Sequence, residues 1–288
     1  MIVALGGGHG LAATIRALRV LGADFTAVVS VADDGGSSGR LRQGSVLPAL
    51  GDLRKALIAT AGESSPLLDA MGFRFDDGDL KGHAFGNLLI SAFASSGSGL
   101  LSAIDEVHRL VGGVGRVLPA SVAPVDLCGS TSAGGQVFGQ VQVMQTPEID
   151  RVWVDPADGQ VPVEVVEAIT TADLVILGPG SLYTSVLAVT CLDPIRLALE
   201  RSSALLVYVS NLRPQEPETS GYSVADHVAA LFRHGVSPDT VLYDPTEIEV
   251  GELAVSGRSS RLGSDGPRGL TAGHDAARLA EALSDLVR

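Results

Sequence analysis

Four short polar loops hold the side chains from which chemistry could be built. Gly6-Gly7-Gly8-His9-Gly10 is nearly free of side chains around one imidazole. Ala32 to Arg42 reads ADDGGSSGRLR, so two carboxylates, Asp33 and Asp34, are followed by Gly35, Ser37 and Arg40. Gly178-Pro179-Gly180-Ser181 stands just before Tyr183, and Ser210-Asn211 forms a fourth group. Gly8-His9-Gly10-Leu11-Ala12-Ala13 fits the GxGxxG/A pattern, in which missing Cβ atoms let a pyrophosphate reach backbone N–H groups and a helix N-terminus adds partial positive charge. A carboxylate at Asp33, about 25 residues past Gly8, is placed to accept from a ribose hydroxyl. Acid, hydroxyl, flexible backbone and cation together suit a phosphorylated, hydroxyl-rich small molecule, such as a nucleotide or nucleotide sugar.

Several of these residues admit more than one role. Asp33 and Asp34 could hold Mg²⁺ beside a diphosphate, since hard oxygens suit that ion. Alternatively Asp33 takes a ribose while Asp34 orders the glycine loop as an Asx-turn. Arg40, Arg42, Arg54 and Lys55 are the local cations, with Arg40 best placed, and Asp52 reads equally as a helix N-cap. His9 could donate to a phosphate or pack against the next loop. Tyr183 and Asn211 could meet a base or sugar, or be a helix-surface tyrosine and a turn asparagine. Asn87 follows Gly82-His83-Ala84-Phe85-Gly86 near a helix start. A Walker-type P-loop is excluded because no Gly-Lys-Ser/Thr follows the first glycines. No GxSxG surrounds Ser181, which removes a serine hydrolase. The histidines are scattered, and Cys128 and Cys191 form no metal pattern.

The elements that must carry these loops follow from periodicity. Met1 to Leu5 reads as a strand, Leu11 to Leu21 as a helix with one apolar face, and Phe25 to Val31 as a second strand. This βαβ unit makes its two strands parallel. Ala172 to Leu177, Ala204 to Val209 and Thr240 to Tyr243 read as further strands, with a helix near Leu182 to Val189 and another capped by Ser223 and Asp226. The expected fold is therefore an α/β, Rossmann-like, mainly parallel sheet flanked by helices, forming a single domain over residues 1–288. Residues 115–155 break the rhythm and read as a small β-rich insertion, with β-like runs at Gln136 to Val143 and Arg151 to Val154. Ser256 to Gly273 reads as loop before a last helix at about His274 to Val287. Open parallel sheets bind ligands beyond the carboxyl ends of their strands, which is where the four loops lie.

Composition narrows the class of partner. The formal charge of −13 over 288 residues argues against a nucleic-acid binder. No apolar run approaches the ~20 residues that span a bilayer, and Met1 opens onto a strand with no basic leader. A cytoplasmic protein without membrane insertion is expected, with homo-oligomerisation and a protein partner left open.

The blocks ALGGGHGL, VSVADDGGSSGRLR, GDLRKAL, GHAFGNLL, ILGPGSLYTSV and SNLRPQEPETSGYSVADHV occur in that order between Met1 and about Val228. Together they resemble the YvcK-type gluconeogenesis factors of the wider CofD-like superfamily. The resemblance implies a Rossmann-like protein that binds UDP-sugars, notably UDP-N-acetylglucosamine. It implies a non-catalytic regulatory role linking carbon metabolism (gluconeogenic growth) to cell-envelope synthesis and cell shape, with no cofactor required. The competing CofD branch implies a Mg²⁺-dependent transferase of a phospholactyl group, with Asp33 and Asp34 as metal ligands. Whether a bond is broken is left open, leaning to no. In some relatives an arginine before a tail His-Asp pair is linked to UDP-sugar binding, and a threonine after it is phosphorylated. Here Gly273 and Ala276 stand at those places. The expected ligand set is Gly7, Gly8, His9, Gly10, Asp33, Asp34, Gly35, Ser37, Arg40, Asn87, Gly180, Ser181, Tyr183 and Asn211.

Overall fold

A computed structural model describes residues 1–35, 47–264 and 273–287. Ile2–Gly6 forms β1 and is buried at every position, which marks a central strand covered on both faces. Gly7 follows in an extended conformation and hands the chain to α1, Gly8–Val20, whose Leu11, Ile15 and Leu18 point inward. The strands that follow are β2 (Phe25–Val29), β3 (Arg116–Pro119), β4 (Asp126–Thr131), β5 (Gln136–Phe138), β6 (Ile149–Asp155), β7 (Leu174–Leu177), β8 (Leu205–Val209), β9 (Thr240–Tyr243) and β10 (Ser256–Ser259).

The large sheet runs β10-β9-β8-β7-β1-β2-β3 with all neighbours parallel. From β1 the chain steps one way through β2 and β3; from β7 it steps the other way through β8 to β10. Right-handed crossovers then put α1 and the helices after β7 on opposite faces. The order reverses between β1 and β7, where Leu5 pairs with Leu177. This is the α/β Rossmann-like arrangement read from the sequence.

The remaining helices are α2 (Gly51–Thr60), α3 (Pro66–Gly72), α4 (Phe85–Phe93), α5 (Gly99–Leu110), α6 (Gln140–Gln145), α7 (Val163–Thr170), α8 (Leu182–Thr190), α9 (Asp193–Arg201), α10 (Val224–Arg233) and α11 (Ala276–Ser284). Ser223 and Asp226 close the expected capping box on α10. No single helix among the described residues is long and apolar enough to cross a membrane. The bent pair α8 and α9 would pass on composition together, but α8 is buried along its whole length within the protein.

The small sheet, β5-β4-β6, is antiparallel. It begins at Asp126, after β3, so Arg116–Pro119 is an edge strand of the large sheet rather than part of an insertion starting at residue 115. Leu127, Val152 and Val154 join the same buried apolar cluster as β1 and β7. His234 fastens the small sheet to α10: its Nδ1 donates to the Ala230 carbonyl at 2.7 Å and its Nε2 accepts from Val152 N–H at 2.9 Å.

Two local readings differ from the sequence. Gln136 to Val143 is not one strand: the chain leaves β5 at Gly139 (φ 95°) and turns into α6. The apolar alternation of Val137, Val141 and Val143 looks like strand, but a glycine in the left-handed region breaks it. Ser256–Ser259, expected as loop, is β10, paired in parallel with β9. Its four residues are all exposed, so an edge strand of Ser, Gly and Arg carries no apolar signal to read.

Candidate functional site

Two glycine loops meet at the reversal of strand order. The first follows β1. Gly8 sits at φ 62°, where a side chain is strained, and among the described residues no side chain caps the N-terminus of α1. Gly10 is required by contact: a Cβ there would stand 1.5 Å from the Pro179 carbonyl oxygen. The first turn of α1 therefore packs directly on the second loop, Gly178 to Ser181. A Cβ on Gly180 would lie 3.6 Å from the Gly7 carbonyl. Gly7, Gly10 and Gly180 thus pack backbone against backbone beneath the crevice expected at a switch in strand order, while His9 is exposed beside them. Partial desolvation of the His9 ring, and then the charge of Lys55, hold its pKa below the usual 6.5.

The second loop leads into α8, and its N-terminus is already occupied. Glu218, 3% exposed, accepts from Tyr183 N–H at 2.7 Å and Thr184 N–H at 3.1 Å, and its other oxygen takes the Ser181 hydroxyl. Burial raises the Glu218 pKa and outweighs these hydrogen bonds. Asn211, at the end of β8, accepts from Gly180 N–H at 2.8 Å through Oδ1. That bond fixes the amide orientation and leaves Nδ2 buried without a hydrogen-bond partner among the described residues. An unpaired buried donor costs about 1–3 kcal/mol, so this atom invites an acceptor.

The loop after β2 is built differently from either sequence reading. Asp33 Oδ1 accepts from Gly35 N–H at 2.9 Å, so Asp33, not Asp34, makes the Asx-turn. Asp34 reaches across to the small sheet, where Oδ1 accepts from Val141 N–H at 2.9 Å in the first turn of α6. Its other oxygen lies against Gly139, where a Cβ would come within 2.3 Å. Asp34 is thus a helix cap supplied from a distant part of the chain. Gly35 packs beside the Val141 side chain. Ser37 and Arg40 lie outside the described residues.

Two expected ligands are buried among protein partners. Tyr183 is fully buried, with its hydroxyl 2.9 Å from the Tyr222 hydroxyl and 3.4 Å from Arg233 Nη2. Asn87 is buried on α4, where Oδ1 accepts from Arg54 Nε at 3.1 Å. Arg54 also donates to the Met71 carbonyl at 3.3 Å, so this cation holds α2 against α3 and α4. The sequence names Asp52 and Lys55 but not their place beside the first loop, and it misses Glu218 altogether. Asp52 is not an N-cap, since Leu50 holds that position; its carboxylate lies beside Gly7, where a Cβ would meet Oδ2 at 2.5 Å. Lys55 pairs with Asp52 at 2.9 Å. Glu218 stood in a Pro/Glu-rich stretch that reads as linker.

The model of the family described as 2-phospho-L-lactate transferase CofD matches residues 2–261. The chain belongs to the CofD family. A gluconeogenesis factor from Halalkalibacterium halodurans is 39% identical over 248 residues, covering 84% of this chain and 77% of that protein. A Deinococcus radiodurans protein, provisionally named for the same role, is 38% identical over 253 residues, covering 86% of this chain and 54% of its own length. The chain thus spans about half the length of that relative. The crystal structure of a UPF0052-family protein from Bacillus halodurans superposes with a TM-score of 0.91 at 33% identity, covering 98% of both chains. Within the CofD family the chain therefore stands among the gluconeogenesis factors, and its crevice lies on a shared CofD-like framework.

Proposed function

We propose that the chain is a cytoplasmic UDP-sugar-binding regulatory protein, with UDP-N-acetylglucosamine as its ligand. In this reading it couples carbon metabolism, under gluconeogenic growth, to cell-envelope synthesis and cell shape. The observation that carries the proposal is the asymmetry of the two glycine loops. Both open onto helix N-termini at the switch in strand order, but α8 is filled by Glu218 while α1 has no side-chain cap among the described residues. A diphosphate is directed to the amides of Gly7 to Gly10, where alignment with a helix N-terminus is worth about 0.3–1 kcal/mol per charge, and up to ~2 in a partly buried site. Asn211 Nδ2 then has a sugar or base oxygen to meet, and Asp33 a hydroxyl. The names of the curated relatives agree with a metabolic role.

The match to a transferase model favours a second reading, in which Asp33 and Asp34 hold Mg²⁺ for phospholactyl transfer. The donor set among the described residues does not fit this. Mg²⁺ demands near-octahedral oxygen ligands. Asp34 is committed to α6, and Asp33 is engaged in its own turn and further contacts.

The test is calorimetric titration of the purified protein with UDP-N-acetylglucosamine, with and without Mg²⁺, and with NAD as the comparison. Saturable binding independent of Mg²⁺, with intact ligand recovered, is expected. Binding that needs the metal and is followed by breakdown of a nucleotide donor would replace this reading with the transferase.

A further inference from the structure

The crevice contains a carboxylate where a diphosphate needs a cation. Asp52, on the first turn of α2, has one oxygen beside Gly7 and the other on Lys55 Nζ at 2.9 Å. Its side chain is 14% exposed and that of Lys55 is 31% exposed. A phosphate over the Gly7 to Gly10 amides would face the Asp52 charge at short range, and like charges in a poorly solvated site repel strongly. Among the described residues three cations act on the neighbouring His9 ring: Lys55 most strongly, then Arg16 and Arg54. Arg54 is buried and spent on Asn87 and Met71. Arg16 is exposed on the third turn of α1. Lys55 has a flexible stem, three donors and a solvent-facing path, so it can change partners without moving the backbone.

We infer that Lys55 is the phosphate-pairing residue of the crevice and that Asp52 is its counter-ion in the ligand-free protein, exchanged for the diphosphate on binding. This rests on the nucleotide-sugar reading above and names the charge that makes it work. The exchange has a consequence that a structural ion pair would not produce: the two partners have opposite effects. Lys55 draws the anion in, while Asp52 both competes for Lys55 and repels the ligand.

The experiment is isothermal titration of UDP-N-acetylglucosamine and of inorganic pyrophosphate into the wild type and the variants Lys55→Met, Lys55→Arg, Asp52→Asn and Arg16→Met, each checked by its thermal midpoint. Lys55→Met is expected to weaken binding at least tenfold and Lys55→Arg to restore most of it. Asp52→Asn is expected to bind threefold or more tighter, and Arg16→Met to stay near the wild type. Wild-type binding that survives in Lys55→Met overturns the inference and leaves the nucleotide-sugar reading standing. Equal weakening in Asp52→Asn and Lys55→Met makes the pair a scaffold and also overturns it. A wild type that binds neither probe removes both proposals.

Discussion

Individual side chains show how little of this crevice's chemistry is carried by the groups that look most reactive. Glu218 has no place in a ligand list drawn from sequence, yet it satisfies two backbone donors and one hydroxyl at the start of α8. Glu218→Ala leaves those donors buried without an acceptor and should cost about 2–3 kcal/mol. Glu218→Gln, which keeps a carbonyl oxygen for Tyr183 and Thr184, should cost well under half of that in denaturant titration. Equal losses in the two variants would mean that the cap is not what Glu218 contributes. His274 is the clearest titrating switch. Its Nε2 donates to the Ser210 carbonyl at 3.1 Å beside Asn211, and burial pushes its pKa down to about 4. The folded value lies below the unfolded 6.5, so the unfolded chain takes up the proton first as pH falls. The stabilising difference is intact above pH 6.5 and is lost between there and about pH 4, at most about 3 kcal/mol. His227 and His234 are lowered by burial as well and add in the same direction. Calorimetric midpoints measured from pH 7 to pH 4 should fall, and should fall less steeply in His274→Gln. A slope identical to the wild type would remove His274 from the account.

The elements explain why some of this was legible and some was not. β1, α1 and β2 announce themselves, because an apolar run, a glycine turn and an amphipathic helix each have a period of their own. The role of Gly10 lies in a contact 169 positions away, Pro179 minus Gly10. The motif pattern placed the glycine correctly but could not name its neighbour. Gly10→Ala should cost about 3 kcal/mol or more through overpacking, while Gly72→Ala, with nothing within 4 Å of its Cβ position, should be neutral or slightly stabilising. Comparable midpoints for the two would contradict the close packing of α1 on the second loop. Asp34 illustrates the opposite case. Its neighbours, two glycines and an acid, invite a metal or a turn, and only the fold brings α6 to it. Asp34→Ala should remove about 1 kcal/mol of capping, visible as faster amide exchange across Gln140–Gln145 with the large sheet unchanged. Unaltered exchange there would mean the cap is dispensable. β10 escaped notice because an exposed edge strand needs no apolar residues, and Asp52 because a helix-start acid is so common that its position beside Gly7 had no sequence signal.

At the scale of the whole molecule, the proposed function puts the nucleotide sugar in one crevice at the β1/β7 switch. Ligand that binds only the folded state should stabilise it by about 2.7 kcal/mol at one hundred times Kd, a rise of roughly 5 °C or more in the thermal midpoint for a chain of this size. NAD at the same concentration should produce far less. The central claim is spatial, and a crystal structure of the complex with UDP-N-acetylglucosamine tests it most directly. The diphosphate is expected over the backbone amides of Gly7 to Gly10, with Lys55 turned from Asp52 toward it, an oxygen of the ligand on Asn211 Nδ2, and Glu218 still capping α8. A diphosphate seated at Ser181 and Thr184 with Glu218 displaced, or a ligand bound away from the switch, would contradict it.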